Sequence, residues 1–279
     1  MNKVKYKRDK TNIFLTTSFH AWVAIFIIVP LIMVFYYGLT DKAGNFTMTN
    51  LLAITKKEQL KALYLSLQLS LLSTFICFIL AYPLAYFLSQ MKLSAGKYIV
   101  FIFILPMWMN FLLRTLAWQT LLEKTGIINT VLETLHLPTL NIINTYPAIV
   151  LGMVYNFLPF MVLPLYNTLA KIDPNVVNAA RDLGANSFQT FRSVILPLSI
   201  PGIVSGITMV FVPSLTTFVI SKILGGSKIL LIGNIIEQEF MFANNWHLGA
   251  GLSIVLMIFI IINMILNSIF DKDGEANSL

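Results

Sequence analysis

Of 279 residues, 57% are hydrophobic and 11% charged, with a mean hydropathy of +0.79 and a formal net charge of +7. A soluble domain carries about a quarter of its residues as Asp, Glu, Lys or Arg, so a water-solvated globule is excluded and the chain is built for a bilayer. The single Cys77 has no partner for a disulfide or a thiolate metal site and reads as a small buried hydrophobe, and the positive charge belongs to membrane topology rather than to nucleic acid.

A bilayer core takes about twenty consecutive apolar residues per helix, and six stretches meet that length: 19–39, 63–88, 98–116, 146–169, 199–220 and 248–270. The sequence therefore predicts an all-α polytopic membrane protein with six transmembrane helices. A basic N-terminus covers 1–18, the transmembrane domain 19–270 and a tail 271–279, both ends on one side. The first span follows the basic head MNKVKYKRDK. Its apolar run is longer than the roughly 7 to 15 residues of a signal h-region, and no small-residue cleavage site follows it, so it is read as a retained anchor. With the N-terminus cytoplasmic, Lys3, Lys5, Lys7, Arg8, Lys10, Lys92, Lys97, Lys171, Arg181, Arg192 and Lys272 fall inside, eleven of the 19 basic residues. Cytoplasmic segments hold such an excess, and this orientation puts the 171–197 loop in the cytoplasm.

Between the third and fourth spans, Ile127, Ile128, Val131, Leu132 and Leu135 recur at helical spacing, which predicts a short amphipathic helix lying as a lid at the outer interface. The fourth span holds Pro147, Pro159 and Pro164 and the fifth Pro201 and Pro213. A proline past the first turn removes a backbone donor and kinks or breaks a helix. Broken backbone at membrane depth survives only against protein or a water-filled cavity, so a translocation path is expected between these two helices.

The 171–197 loop reads KIDPNVVNAARDLGANSFQTFRSVILP. Asp173 before Pro174 is a helix start, an N-cap acceptor and then a residue whose missing N–H would have been unpaired anyway. Val176, Val177, Ala180 and Leu183 follow at helical spacing as an apolar stripe, and Gly184 stops the helix as a C′ glycine. Ser187 is expected to cap a second short turn, 188–191, and Leu196-Pro197 leads back into the membrane. Small Ala179 and Ala180 would let another protein approach closely, although a bare interfacial helix would show the same periodicity.

Asn178, Ala179 and Ala180, then three residues, Gly184, nine residues, Val194, one residue and Leu196-Pro197 resemble the EAA loop of ABC importer permeases. Two positions depart from that pattern, Asn178 standing where the family has Glu and Val194 where it has Ile. AYPLAYFLS at 81–89, PMWMNFLLR at 106–114, GMVYNFLPFMVLPLY at 152–166, AARDLGANSFQTF at 179–191 and GGSKILLIGN at 225–234 are similar to the first permease subunit of bacterial spermidine/putrescine importers. The resemblance runs over about 21–270. It implies a type I ABC importer permease fold in the bacterial cell membrane. It also implies a second, homologous permease completing a heterodimer, two copies of a cytoplasmic ATPase, and an extracytoplasmic polyamine-binding protein. Asp173, Pro174, Val176 to Gly184 including Arg181 and Asp182, Leu196 and Pro197 are then the residues that grip the ATPase. ATP closure of that partner would move the coupling helices and open the pore outward, and hydrolysis would reset it.

No G-x-x-x-x-G-K-[ST] loop occurs, the lysine of GGSKILL being in the wrong register. This subunit is therefore expected to carry no cofactor and no catalytic residue, ATP and Mg²⁺ being held by the partner. An intramembrane hydrolase would need a nucleophile or metal constellation. The histidines are His20, His136 and His247, H-E-x-x-H is absent, and Ser205 in GIVSG is not in a nucleophile elbow. An ion-coupled secondary transporter usually carries ionisable groups in its spans, whereas here the only such charge is Arg114.

Arg114, near an outer end, reads as a snorkelling interface residue rather than an anion site. Glu237 and Glu239, in an outer loop beside Trp246, are candidates to receive a polycation. Trp108, Trp118, Tyr155 and Trp246 could hold it by cation–π contact. Each aromatic equally suits an interface belt, and the two carboxylates could instead contact a binding protein or a neighbouring loop. Permeases of similar construction serve osmolytes, phosphonates and iron, so the substrate rests on the resemblance.

Overall fold

The described residues in the computed structural model are 17, 19–91, 93–226 and 228–276. Of the basic residues used to orient the chain, Lys3, Lys5, Lys7, Arg8, Lys10 and Lys92 lie outside them, as do the side chains of Lys97 and Lys272. What is described is helical, with an isolated β-bridge pairing Thr40 and Phe46.

Helix α1 is Phe19–Gly38 and α2 is Lys57–Ser89. The third span is α3, Leu93–Ile104, then a 3₁₀ turn Leu105–Trp108 and α4, Phe111–Leu122, followed by the interfacial α5, Ile127–Thr134. The fourth span is α6, Tyr146–Leu169. The loop beyond it carries α7, Pro174–Asp182, and α8, Ser187–Leu198. The fifth span is α9, Ile200–Thr216, with α10, Val219–Leu224, α11, Ile232–Met241, and finally α12, Trp246–Ala276.

Among the described residues, four single helices are long and apolar enough to cross a bilayer, and the number is six when each of two bent pairs is taken as one span. At about 1.5 Å per residue, the 33 residues of α2 span roughly 50 Å, well beyond a 30 Å hydrocarbon core. Its first turns, with Lys57, Glu58 and Lys61, therefore stand clear of the lipid. Helix α12 continues through most of the expected tail, to Ala276.

The prolines behave otherwise than expected. Pro159 and Pro164 sit inside an unbroken α6, Pro83 inside α2 and Pro213 inside α9. The breaks come at Met109–Asn110, where the third span turns by 89°, and at Ser199, where α8 meets α9 at 61°. A third interruption follows α9 at Thr217–Phe218. Each is stabilised by a polar group that takes over the freed backbone.

The core is α6 packed between α2 and α9. Small residues set the close approaches, as is usual where lipid removes the hydrophobic drive between helices. A Cβ on Gly206 would lie 2.6 Å from Met161 Sδ, and one on Gly202 would lie 2.9 Å from the Pro164 carbonyl. Along α2, Ser73 and Thr74 return their hydroxyls to the carbonyls of Leu69 and Ser70 at 2.7 Å, so buried polar groups stay satisfied within the helix. The Ser66 hydroxyl accepts from Ile232 N–H at 2.9 Å and so caps α11 from α2. Helix α1 packs on α12, and its remaining surface, including Phe26, Ile32 and Tyr36, is exposed apolar side chain.

Candidate functional site

The 171–197 segment folds as its capping residues dictate. Asp173 accepts from Asn175 N–H at 2.9 Å and starts α7. Gly184 ends it with φ +88°, its N–H donating to Arg181 O at 2.9 Å while Ala185 N–H donates to Ala180 O at 3.1 Å. That pair of bonds is the Schellman closure, which needs a left-handed residue at C′. The second turn is capped by Asn186 rather than Ser187. Asn186 Oδ1 accepts from Gln189 N–H and Gln189 Oε1 from Asn186 N–H, both at 2.9 Å. A reciprocal cap satisfies two orphan donors at once.

Past it, a π-helical turn at Phe191–Ile195 runs straight on through Leu196 and Pro197. Phe191 sets its ring edge-on to Tyr82 at 5.8 Å and Tyr86 at 6.0 Å, both on α2. The Tyr82 hydroxyl shares a 2.9 Å hydrogen bond with Ser199 Oγ, where α8 meets α9. The loop is thus an arm fixed to α2 and joined to the fifth span at the Ser199 bend.

The expected apolar stripe is divided. Val177 packs against the protein's own core and Ala180 is half-buried, whereas Val176 is exposed and Leu183 is 90% exposed, with Phe188 exposed beside them. Asn178, Ala179, Arg181, Asp182 and Pro197 are exposed and Leu196 is partly buried. Beneath α7 lies a cavity of about 480 Å³, walled by Tyr86, Gln90, Leu169, Val177, Asn178 and Arg181.

The proposed path residues fall in separate places. At the break in the third span, Asn110 Oδ1 accepts from the N–H groups of Leu112 (2.9 Å) and Leu113 (3.3 Å) and so starts α4. Arg114 does not snorkel. It is 7% exposed, donates from Nη1 to Pro106 O at 2.7 Å, and lies over the Phe111 ring at 5.9 Å, bracing the bend it sits beside. Trp118 meets Tyr155 edge-on at 5.0 Å, and both line an apolar cavity of about 650 Å³ with Ile76, Val154 and Leu158. Trp108 is exposed against Phe101, while Trp246 sits between Tyr37 and Phe240.

Glu237 and Glu239 are on a helix, α11, rather than in a loop. Glu237 Oε1 pairs with Lys222 Nζ at 2.9 Å, and that ammonium also lies 5.7 Å from the centre of the Phe242 ring. Glu239 has no hydrogen-bond or ion-pair partner for its carboxylate among the described residues. The junction of α10 and α11 is held by Asn234, 4% exposed. Its Oδ1 accepts from Ser221 Oγ (2.6 Å) and Leu231 N–H (3.0 Å), and its Nδ2 donates to Phe218 O (3.0 Å). Sequence reasoning passed over Lys222 and Asn234. An Asn three residues into a helix that follows a broken span was the available signal.

Residues 5–273 match the family model described as binding-protein-dependent transport system inner membrane component. The chain is 37% identical over 246 residues to the spermidine/putrescine transport system permease protein PotB of Haemophilus influenzae, covering 85% of this chain and 86% of that one. It is 36% identical to the protein so named in Escherichia coli, over 85% and 89% of the two chains. In fold it matches a chain of a bacterial ABC transporter involved in alginate import, with TM-score 0.77, 16% identity and 96% of both chains covered. A chain of the inward-facing MetNI methionine ABC transporter matches with TM-score 0.55 and 19% identity over 77% and 95% of the two chains. The chain belongs to the family of inner membrane components of binding-protein-dependent transport systems, the permeases of ABC importers.

Proposed function

We propose that this chain is one of two homologous permease subunits of an ATP-driven polyamine importer, working with two copies of a cytoplasmic ATPase and an extracytoplasmic polyamine-binding protein. The single observation that carries the ATPase partnership is Leu183, a large apolar side chain 90% exposed on a helix whose two ends are capped and whose arm is fixed to α2 and α9. An isolated Leu on a surface is ordinary, but here Val176 and Phe188 stand exposed on the same short arm. A cleft on the ATPase would cover them. Asp173, Pro174 and Gly184 set the arm's ends, Val177, Ala180 and Leu196 hold it to the body, and Asn178, Ala179, Arg181, Asp182 and Pro197 face the partner's rim.

ATP binding closes the ATPase pair and carries both arms inward, and because α8 joins α9 directly at the Ser199 bend, the movement reaches the fifth span and opens the pore outward. Hydrolysis reverses it. ATP and Mg²⁺ stay with the partner, and this subunit works by geometry alone.

Spermidine or putrescine as cargo is supported by the named relatives at 36–37% identity. No Asp or Glu occurs in the six apolar stretches, so a polycation is received at the outer mouth by Glu237 and Glu239; Trp118 and Tyr155 line a separate apolar cavity, and Trp246 and Trp108 stand apart from both. Arg114 shapes the bend of the third span and does not touch the cation. Both termini and the α7 arm face the cytoplasm.

One cysteine tests the placement. In a Cys77→Ala background, Leu183→Cys should cross-link to a cysteine introduced in the ATPase cleft, and should resist an impermeant thiol reagent in intact cells. Labelling from outside, or no cross-link in any nucleotide state, would contradict the arrangement.

A further inference from the structure

The cavity in front of Glu237, about 470 Å³, is walled by Lys222, Asn234, Gln238, Glu239 and Phe242. It adjoins one of about 280 Å³ that shares Gln238 and Glu239 and is lined as well by Glu58, Lys61 and Lys228. Among the described residues, Lys222 to Glu237 is the ion pair that forms here. Its two ends differ in character. The Glu237 side chain is 18% exposed and fixed on α11, whereas the Lys222 side chain is 47% exposed on a flexible four-carbon stem. A half-buried acceptor facing a mobile, solvent-reached ammonium is the geometry of a site with a removable occupant. The Phe242 face completes it, because an aromatic ring attracts any ammonium set over it.

We propose that Glu237, Glu239 and Phe242 form an outer site for a primary alkylammonium group, and that Lys222 is a tethered stand-in which fills this site until a polyamine displaces it. The inference rests on the polyamine reading above and adds a competitor to it. Lys222 Nζ has the chemistry of a polyamine end group: a primary ammonium on an unbranched alkyl chain. With the site empty of cargo, it neutralises Glu237 and denies that carboxylate to inorganic cations. When a polyamine arrives, one terminal ammonium takes the place on Glu237 and Phe242, while Glu239 and Glu58 in the adjoining cavity face the rest of the chain. Lys222 then swings into water at small cost, since an exposed ion pair and an exposed cation–π contact together weaken a competitor by about tenfold. The device keeps the outer site weak, which suits a step that hands its cargo onward.

The test is equilibrium binding of labelled spermidine to the complete importer, trapped with ATP and vanadate and without binding protein. Lys222→Met keeps the stem and removes the charge, and should bind spermidine about tenfold more tightly than the parent. Lys222→Gln is read in parallel, so that poor assembly of one variant does not remove the result. Lys222→Arg keeps the charge and should lose most of the gain, and Glu237→Gln added to Lys222→Met should abolish it. Affinity unchanged or weaker in both neutral variants, with the parent still importing spermidine, would overturn the stand-in and leave the importer reading intact. A parent complex that neither binds nor imports spermidine would overturn the polyamine reading, and the stand-in with it.

Discussion

Leu183→Asp is expected to abolish binding-protein-dependent uptake while the protein accumulates in the membrane at the parental level. Leu183 is 90% exposed and makes almost no contact within the chain, so its replacement leaves the fold untouched. In a desolvated cleft the effect is different. The leucine contributes about 1.5–3 kcal/mol on burial, and an unpaired carboxylate there adds a desolvation penalty of several kcal/mol. Together these exceed what a transient coupling contact can lose. Val177→Asp is the informative contrast, because Val177 packs against the core and its replacement should reduce the amount of protein rather than its coupling. Membrane content by immunoblot and uptake in the same cells separate the two. Leu183→Asp with uptake near parental would remove the arm from the coupling path.

Asn234→Leu is expected to destabilise the protein strongly in detergent. The substitution keeps the branching of the side chain but leaves Leu231 N–H without its partner at a buried junction and removes two further hydrogen bonds, while Ser221 Oγ and Phe218 C=O keep each other at 3.0 Å. One orphaned buried donor costs about 1–3 kcal/mol and each of the two lost bonds about 1 kcal/mol, so a loss of about 3 kcal/mol is predicted, a large share of the roughly 5–15 kcal/mol that keeps a domain folded. Ser221→Ala should cost only about 1 kcal/mol, because Asn234 Oδ1 keeps its bond to Leu231 N–H. Thermal unfolding of the purified complex reads both. Equal melting of Asn234→Leu and parent would show that this network does not hold α10 to α11.

The six apolar stretches and both ends of α7 were legible because length, hydropathy and capping chemistry are local properties. Asp173, Pro174 and Gly184 act where the sequence says they do. The prolines misled because a missing backbone donor is readily absorbed inside a packed α6. The third span breaks at Asn110 instead, where a side-chain oxygen offers Leu112 and Leu113 N–H an alternative to the helix. Arg114 reads as a snorkelling residue only until the bend exposes the Pro106 carbonyl it binds. The division of the α7 stripe was hidden for a related reason. Periodicity says that Val176, Val177, Ala180 and Leu183 share a sector, but which of them face the body depends on α2 and α6, elements distant in sequence. Lys222 and Glu237, fifteen residues apart on different helices, pair only once Asn234 has fixed the junction between them.

The most direct test of the account is uptake of labelled spermidine into proteoliposomes holding this chain, its partner permease and the ATPase, with loaded binding protein outside. ATP enclosed with the ATPase should drive accumulation, with hydrolysis stimulated by the loaded binding protein, and Leu183→Asp should remove both. Accumulation driven by an ion gradient without ATP, or stimulated hydrolysis with no spermidine entering, would contradict it.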